Sequence, residues 1–273
     1  MGLFGREDRK MRRVSRLASA FAALVLAAAS ARAQTPPPAA PTTAMDDHWH
    51  FIVGLYGWFP GISGTVTVLD HPPVPIDVPF SKLWDNLKFI LTGHFEGRHE
   101  KFGFGLDLFY VHEGLAVSGV VPELLDTSVD LRQFIGEGFG FYRVAQGSGE
   151  RPWTVDVLGG VRFWDTNTRV QSDITNGTGK TIDWVDGFGG LRFELPITSK
   201  LSLLGRGDVG AGGAKLDWSA SGDLAFQLGK GWVSGLGYRT LNVDLDKVGG
   251  AGVERRTFDV AYNGPRAWIA ITW

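Results

Sequence analysis

No cysteine occurs among the 273 residues. That excludes a thiolate nucleophile, a Cys-ligated zinc site and an iron–sulfur cluster. It leaves the compartment open, because an exported domain of this size buries enough core without disulfide staples. No run of 18 apolar residues is present, so no membrane-spanning helix is expected over the mature part of the chain. From Trp49 onward no stretch keeps a helical period for three turns. Basic excess is lacking too: the formal net charge is −2. What is abundant is glycine (38 residues) and the large aromatics, with 18 Phe and 10 Trp.

The N-terminus reads as an export signal. Arg6, Arg9, Lys10, Arg12, Arg13 and Arg16 form a basic start, and Leu17 to Ala29 is too short an apolar run to span a bilayer. Ala31-Arg32-Ala33 is an A-x-A cleavage site, so residues 1–33 are expected to be removed and Gln34 to begin the mature chain. Residues 1–33 hold seven basic and two acidic residues; without them 20 basic stand against 27 acidic, a charge of −7. A nucleic-acid partner, which needs a basic face, is not expected. The Pro-rich stretch 34–47 is a tether without core-forming residues.

Beyond it the pattern is alternation with period two. Ten strands are expected, near 48–59, 88–99, 102–113, 128–143, 153–165, 181–195, 200–212, 216–228, 232–245 and 257–273. In the fifth, Trp153, Val155, Val157, Gly159, Val161 and Phe163 alternate with Thr154, Asp156, Leu158, Gly160 and Arg162. The polarity of 128–143 is ambiguous, because Gln133 and Glu137 share a face with Ile135, Phe139 and Phe141. One short helix is expected from Pro79 to Lys88, with Ser81 as N-cap. Short connections at 99–101, 145–152, 196–199 and 229–231 alternate with mostly longer ones at 60–87, 114–127, 166–180, 213–215 and 246–256. That is the pattern of an antiparallel transmembrane β-barrel with short periplasmic turns, longer outer loops and an even strand count. The fold expected is therefore all-β, a single closed barrel over 48–273 of about ten strands, with eight or twelve as alternatives.

In such a barrel the polar face lines the lumen. The charges expected there are Glu96, Arg98, Asp107, Asp156, Arg162, Asp186, Arg192, Glu194, Arg206, Asp208, Asp223 and Arg239, of both signs. Hairpin register predicts a contact between Asp156 and Arg192, extended to Glu194 and Arg206. Phe109, Trp164, Trp184 and Phe188 are expected to narrow the lumen further. At the C-terminus Ala267, Ile269, Ile271 and Trp273 alternate and end on an aromatic, like the signal read by the barrel-assembly machinery. Phe258, Val260 and Tyr262 have the opposite parity, so Asn263-Gly264-Pro265 is expected to form a bulge.

The segments Val78-Pro79-Phe80-Ser81-Lys82-Leu83-Trp84-Asp85-Asn86-Leu87, Gly160-Val161-Arg162-Phe163-Trp164, Trp184-Val185-Asp186-Gly187-Phe188-Gly189-Gly190-Leu191-Arg192, Gly207-Asp208-Val209-Gly210 and Gly237-Tyr238-Arg239 resemble the small proteobacterial outer-membrane β-barrel proteins, porin-like barrels of the OmpA or OmpW kind. The resemblance covers nearly the whole mature chain and implies fold and location, with outer-membrane lipid and lipopolysaccharide as surroundings. It brings no catalytic residue.

Enzyme chemistry is not expected. Of the six histidines (48, 50, 71, 94, 99 and 112) none lies two residues from a Ser, as a barrel hydrolase dyad would need on one wall. Asp70-His71 is followed by Pro72-Pro73 and reads as loop. His94 and Glu96 share a face and could ligate a metal, but a lumen hydrogen-bond network with Arg98 is the favoured account; no metal and no cofactor is expected. Ten strands lie near the limit at which side chains fill the interior. The function expected is structural or surface-interaction, with a narrow channel for small solutes or ions as the alternative and a hydrolase as a remote second. Oligomeric state is left open.

Overall fold

The computed structural model describes residues 48–68, 74–117, 127–172, 175–247 and 256–273. The signal peptide expected over 1–33, the tether over 34–47 and Asp70-His71 lie outside the described residues. No described helix is long and apolar enough to cross a membrane, which says nothing of strands.

The chain forms β1 (Trp49–Trp58), β2 (Gly61–Val68), β3 (Val74–Val78), α1 (Phe80–Asn86), β4 (Leu87–His99), β5 (Phe102–Val117), β6 (Thr127–Gln146), β7 (Thr154–Ser172), β8 (Thr175–Pro196), β9 (Leu201–Gly212), β10 (Leu216–Gly229), β11 (Trp232–Lys247) and β12 (Arg256–Thr272). Neighbours pair antiparallel in the order β1-β4-β5-β6-β7-β8-β9-β10-β11-β12, and β12 returns to β1. The wall is thus a closed ten-stranded barrel, and β2–β3 is a hairpin attached to the far half of β12. Closure leaves no continuous sheet edge, the condition for a sheet in lipid.

Alternation places the residues. In β7, Thr154, Asp156, Leu158, Arg162 and Trp164 are buried inside while Val157, Val161 and Phe163 are exposed outside. Around the wall Leu91, Leu106, Leu108, Val161, Val185, Leu191, Val209, Leu224 and Leu236 stand outward at 41–62 % exposure. So continuous an apolar belt is compatible with lipid and not with water. Phe51, Phe104, Tyr142, Trp153 and Trp273 edge it at the short-turn end; Phe89, Tyr110, Phe163, Trp218 and Tyr238 edge it at the other.

Four expectations are corrected. The described part of 166–180 is strand, not loop: β7 runs to Ser172 and β8 starts at Thr175, the two joined by an Asn167–Thr181 side-chain bond of 2.6 Å. The stretch 60–87 holds β2, β3 and α1. The helix starts at Phe80 with Pro79 as N-cap and no side-chain cap, so Ser81 lies inside it. And β12 has no bulge: its register with β11 runs unbroken from Trp232↔Ile271 to Lys247↔Arg256. Val260 and Tyr262 point inward on the same parity as Arg266 and Ala270. The pattern inverts because the surroundings do. Beyond the apolar belt the outside is water and the inside is apolar, so Asp259 faces out and Val260 in. β11 repeats this, with Leu241, Val243 and Leu245 at 0–1 % exposure. The same inversion settles β6: Gln133, Ile135, Glu137, Phe139 and Phe141 all face the lumen, and its outer face in the belt is largely glycine.

A charge on the outer belt meets hydrocarbon. Leu191→Arg should therefore cost about 2–4 kcal/mol if it lies near the midplane. Urea unfolding in lipid vesicles should show that loss, whereas Leu191→Phe should lie within about 1 kcal/mol of the parent.

Candidate functional site: the lumen charge network

Two inward glycines of β5 give β6 its room. A Cβ on Gly103 would lie 2.1 Å from the Phe141 ring and one on Gly105 2.3 Å from the Phe139 ring. The two phenyl rings therefore lie against the wall and form, with Leu158 and Phe188, an apolar shelf. Arginines rest on it: Arg192 sits 3.7 Å above Phe141, Arg206 5.0 Å from Phe139 and Arg162 4.8 Å from Phe188. These are cation–π distances, strengthened where water is excluded.

The centre is Arg162, with 0 % exposure. Its Nε donates to Glu137 Oε1 at 3.0 Å, and its two terminal nitrogens donate to Asp217 Oδ2 and Asp208 Oδ1, each at 2.6 Å. Glu137 also accepts from Arg206 and Arg239, both at 2.8 Å, and Arg206 Nε donates to Asp208 at 2.9 Å. Three arginines and three carboxylates from β6, β7, β9, β10 and β11 thus meet in mid-lumen. Arg239 reaches Asp107 at 3.9 Å; Asp107 also accepts from the Tyr56 hydroxyl at 2.7 Å and lies 3.1 Å from His94 Nδ1.

Nearer the short-turn end, Arg192 holds Glu96 with both terminal nitrogens, at 2.6 and 2.9 Å, and donates from Nε to Asp156 at 2.9 Å. Arg143 donates to the other Asp156 oxygen, also at 2.9 Å. A third group lies between β10 and β12, where Arg266 holds Asp223 with two nitrogens and reaches Ser221 at 3.2 Å, and the Trp268 indole donates to Asp223 at 3.3 Å.

The residues singled out from sequence separate accordingly. Glu96, Asp107, Asp156, Arg162, Arg192, Arg206, Asp208, Asp223 and Arg239 come together in these groups. Asp186 does not: its oxygens accept the Trp184 indole N–H and the Ala214 backbone N–H, both at 2.7 Å, and it anchors the β9–β10 turn. Arg98 and Glu194 lie half-buried near the short-turn end, outside the hydrogen bonds of the network. Asp156 meets Arg192, but the pair extends to Glu96 and Arg143, not to Glu194 and Arg206. His94 lies against Asp107 and, at 3.7 Å, Glu96; no Arg98 bridge links them. Sequence reasoning missed Glu137, Arg143, Asp217 and Arg266. Asp217 was legible on the polar face of its strand; the other three were hidden by the ambiguous parity of β6 and the assumed bulge of β12. Ala267, Ile269 and Ile271 line the outer side of β12, facing β1 and β11, ahead of Trp273.

Beyond the arginines, toward the long-loop end, the lumen is apolar. Tyr56, Trp58, Phe109, Ile135, Trp164, Trp184, Leu241 and Tyr262 pack as one cluster, with Trp164 and Trp184 stacked at 5.1 Å.

The fold is that of an outer-membrane β-barrel. The outer membrane protease OmpT of Escherichia coli superposes with a TM-score of 0.52 over 85 % of this chain and 99 % of its own, at 8 % identity. Ail, the attachment invasion locus protein of Yersinia pestis, reaches 0.37 at 9 % identity, covering 84 % of this chain and 100 % of its own. The toluene transporter TbuX of Ralstonia pickettii reaches 0.36 at 9 % identity, covering 84 % and 90 %. No family model and no curated protein matches the sequence. At such identities the likeness carries the architecture alone.

Breaking a buried ion pair strands the partner, at about 3–5 kcal/mol. Asp156→Ala strands both Arg143 and Arg192 and should lower the temperature at which the folded barrel loses its gel mobility shift. Adding Arg192→Ala should recover part of the loss. Strict additivity of the two single effects would mean that the pair is not coupled. Arg162→Met leaves three carboxylates facing one another and should be the most damaging single change in the lumen.

Proposed function

We propose that the protein is a non-conducting barrel of a bacterial outer membrane, a structural or surface-interaction protein that acts through its long-loop end and is not an enzyme. The observation that carries this reading is Arg162: fully buried at mid-lumen and held by three carboxylates from three other strands. A conducting pore needs hydrated charges along its axis, and ten strands enclose little more than side chains. Here the axis is closed twice, by the arginine–carboxylate group and by the apolar cluster around Trp164. Opening it would require stranding charges in a dry interior.

In this reading residues 1–33 are the cleaved export signal, and Ala267, Ile269, Ile271 and Trp273 form the strand read by the barrel-assembly machinery. The short-turn end faces the periplasm, and the opposite rim meets lipopolysaccharide. Purified protein in a planar bilayer should give no unit conductance steps. Stable, reproducible steps would replace the closed-barrel reading with a narrow channel. Mature protein isolated from the outer-membrane fraction should begin at Gln34; an intact Met1 terminus in a soluble pool would overturn the location.

A further inference from the structure

The wall is interrupted between β1 and β4. β1 and β4 pair only from Trp49↔His99 to Gly54↔His94. Beyond that level β4 continues to Leu87 paired with β5 alone, while β1 passes through Phe59-Pro60 into β2, which pairs with β12 and β3. A side chain marks where the strands part. The Thr92 hydroxyl accepts the Tyr56 N–H at 3.1 Å and donates to the Tyr56 carbonyl, standing where the backbone of a paired strand would stand. The slit between β2–β3 and β4 is covered by α1. Leu83 of this helix is buried at 4 % exposure, and Trp84 packs against Phe59 and Phe80 at 5.9 and 5.7 Å. Among the described residues the hydrogen bonds of α1 stay within the helix and its Pro79 and Leu87 caps, so only apolar contact seals the slit. Beside it Phe89 and Leu91 are exposed, at 43 and 58 %, on the lipid-facing side.

Behind α1 lies a narrow cleft of about 30 Å³, with apolar walls that include Leu87, Ile90, Phe109 and Val111. Two polar groups that line it are buried without a hydrogen-bond partner among the described residues: Trp58 Nε1, on a residue 2 % exposed, and Glu113 Oε2, on one 6 % exposed. Leaving a buried donor and a buried acceptor unpaired is costly, and native structures seldom do it without reason. Gln133, in the same cleft, is already committed to Tyr262 at 2.8 Å and Thr166 at 3.3 Å.

We infer that this cleft is a binding site for an uncharged apolar molecule bearing one hydroxyl, admitted sideways from the bilayer past α1. A hydroxyl accepts one hydrogen bond and donates another, which matches the indole N–H and the carboxylate oxygen together. An alkane leaves both groups unpaired, and an anionic head would meet the Glu113 carboxylate. The narrow closed cleft gains its depth as α1 lifts from the slit, a motion that breaks no hydrogen bond to the wall. The Trp58 ring carries the Arg239 guanidinium at 5.0 Å, but neither unpaired atom is bonded to the arginine network, so the inference holds whether or not the barrel conducts.

The absence of cysteine gives a clean reporter. Val111→Cys, with Leu131→Cys as a second position in the same cleft, is placed in the full barrel in lipid nanodiscs, and folding is verified by the gel mobility shift. N-ethylmaleimide should label the thiol, and Leu83→Ala should speed the labelling by loosening α1. Saturating 1-octanol should slow labelling, and octane should not. Glu113→Leu should weaken protection by octanol about tenfold, the effect of losing one hydrogen bond to a buried partner. Equal protection by octane and octanol, or octanol protection unchanged in Glu113→Leu, would overturn head-group recognition. Thiols at both positions that stay unreactive even with Leu83→Ala would overturn lateral entry.

Discussion

The pairing of charge inside a space that water barely enters is the constraint on which this barrel depends. A guanidinium with no exposed surface must have its donors met within the protein, and Arg162 meets them with Glu137, Asp208 and Asp217. Those carboxylates need Arg206 and Arg239 in turn. The net ties strands that are not neighbours in the wall, so it holds the cross-section as well as the register. It also explains the aromatic shelf. Phe139, Phe141 and Phe188 fill the space beside the guanidinium planes, and Gly103 and Gly105 exist to let the rings of β6 lie flat.

The wall crosses two environments, and its sequence pattern changes with them. Inside the belt the outward face meets lipid and is apolar, while the inward face carries charge. Beyond the belt the outward face meets water, and the interior becomes a small apolar core around Trp164 and Trp184. A single strand therefore reads in opposite senses along its length. Tyr238 faces lipid and Arg239 the lumen; three residues on, Asn242 faces water and Val243 is buried at 1 %. Along β11 and β12 the period of two runs unbroken; only its meaning changes.

The interruption between β1 and β4 is set within this ordered wall. Backbone groups left unpaired at membrane depth must be covered by protein. Thr92 supplies one pair of substitutes and α1 shields the remainder. The cover is a seven-residue helix held by aromatic packing, next to a cleft that retains an unpaired donor and an unpaired acceptor. Stability would be served by a continuous ladder and an apolar residue in place of Glu113. That neither is present is the physical ground for assigning this corner of the barrel a ligand.

What the sequence by itself determined is what depends on neighbours along the chain. Alternation fixed which side of β7 carries Asp156 and Arg162 and which carries Val157 and Val161, because successive side chains of a strand point to opposite faces. The antiparallel pairing of the consecutive strands β7 and β8 likewise made Asp156↔Arg192 legible. Closure decided the rest. Glu137 meets Arg239 across 102 residues, and Arg192 meets Glu96 across 96. No local period encodes which strands face each other across a lumen. Nor did local parity reveal β6 or the start of β12, because the side that counts as wet depends on height in the membrane. The slit behind α1 was invisible for the same reason: where β1 abandons β4 is decided by a competition between partners distant in sequence, and only the folded wall shows which partner β12 has taken.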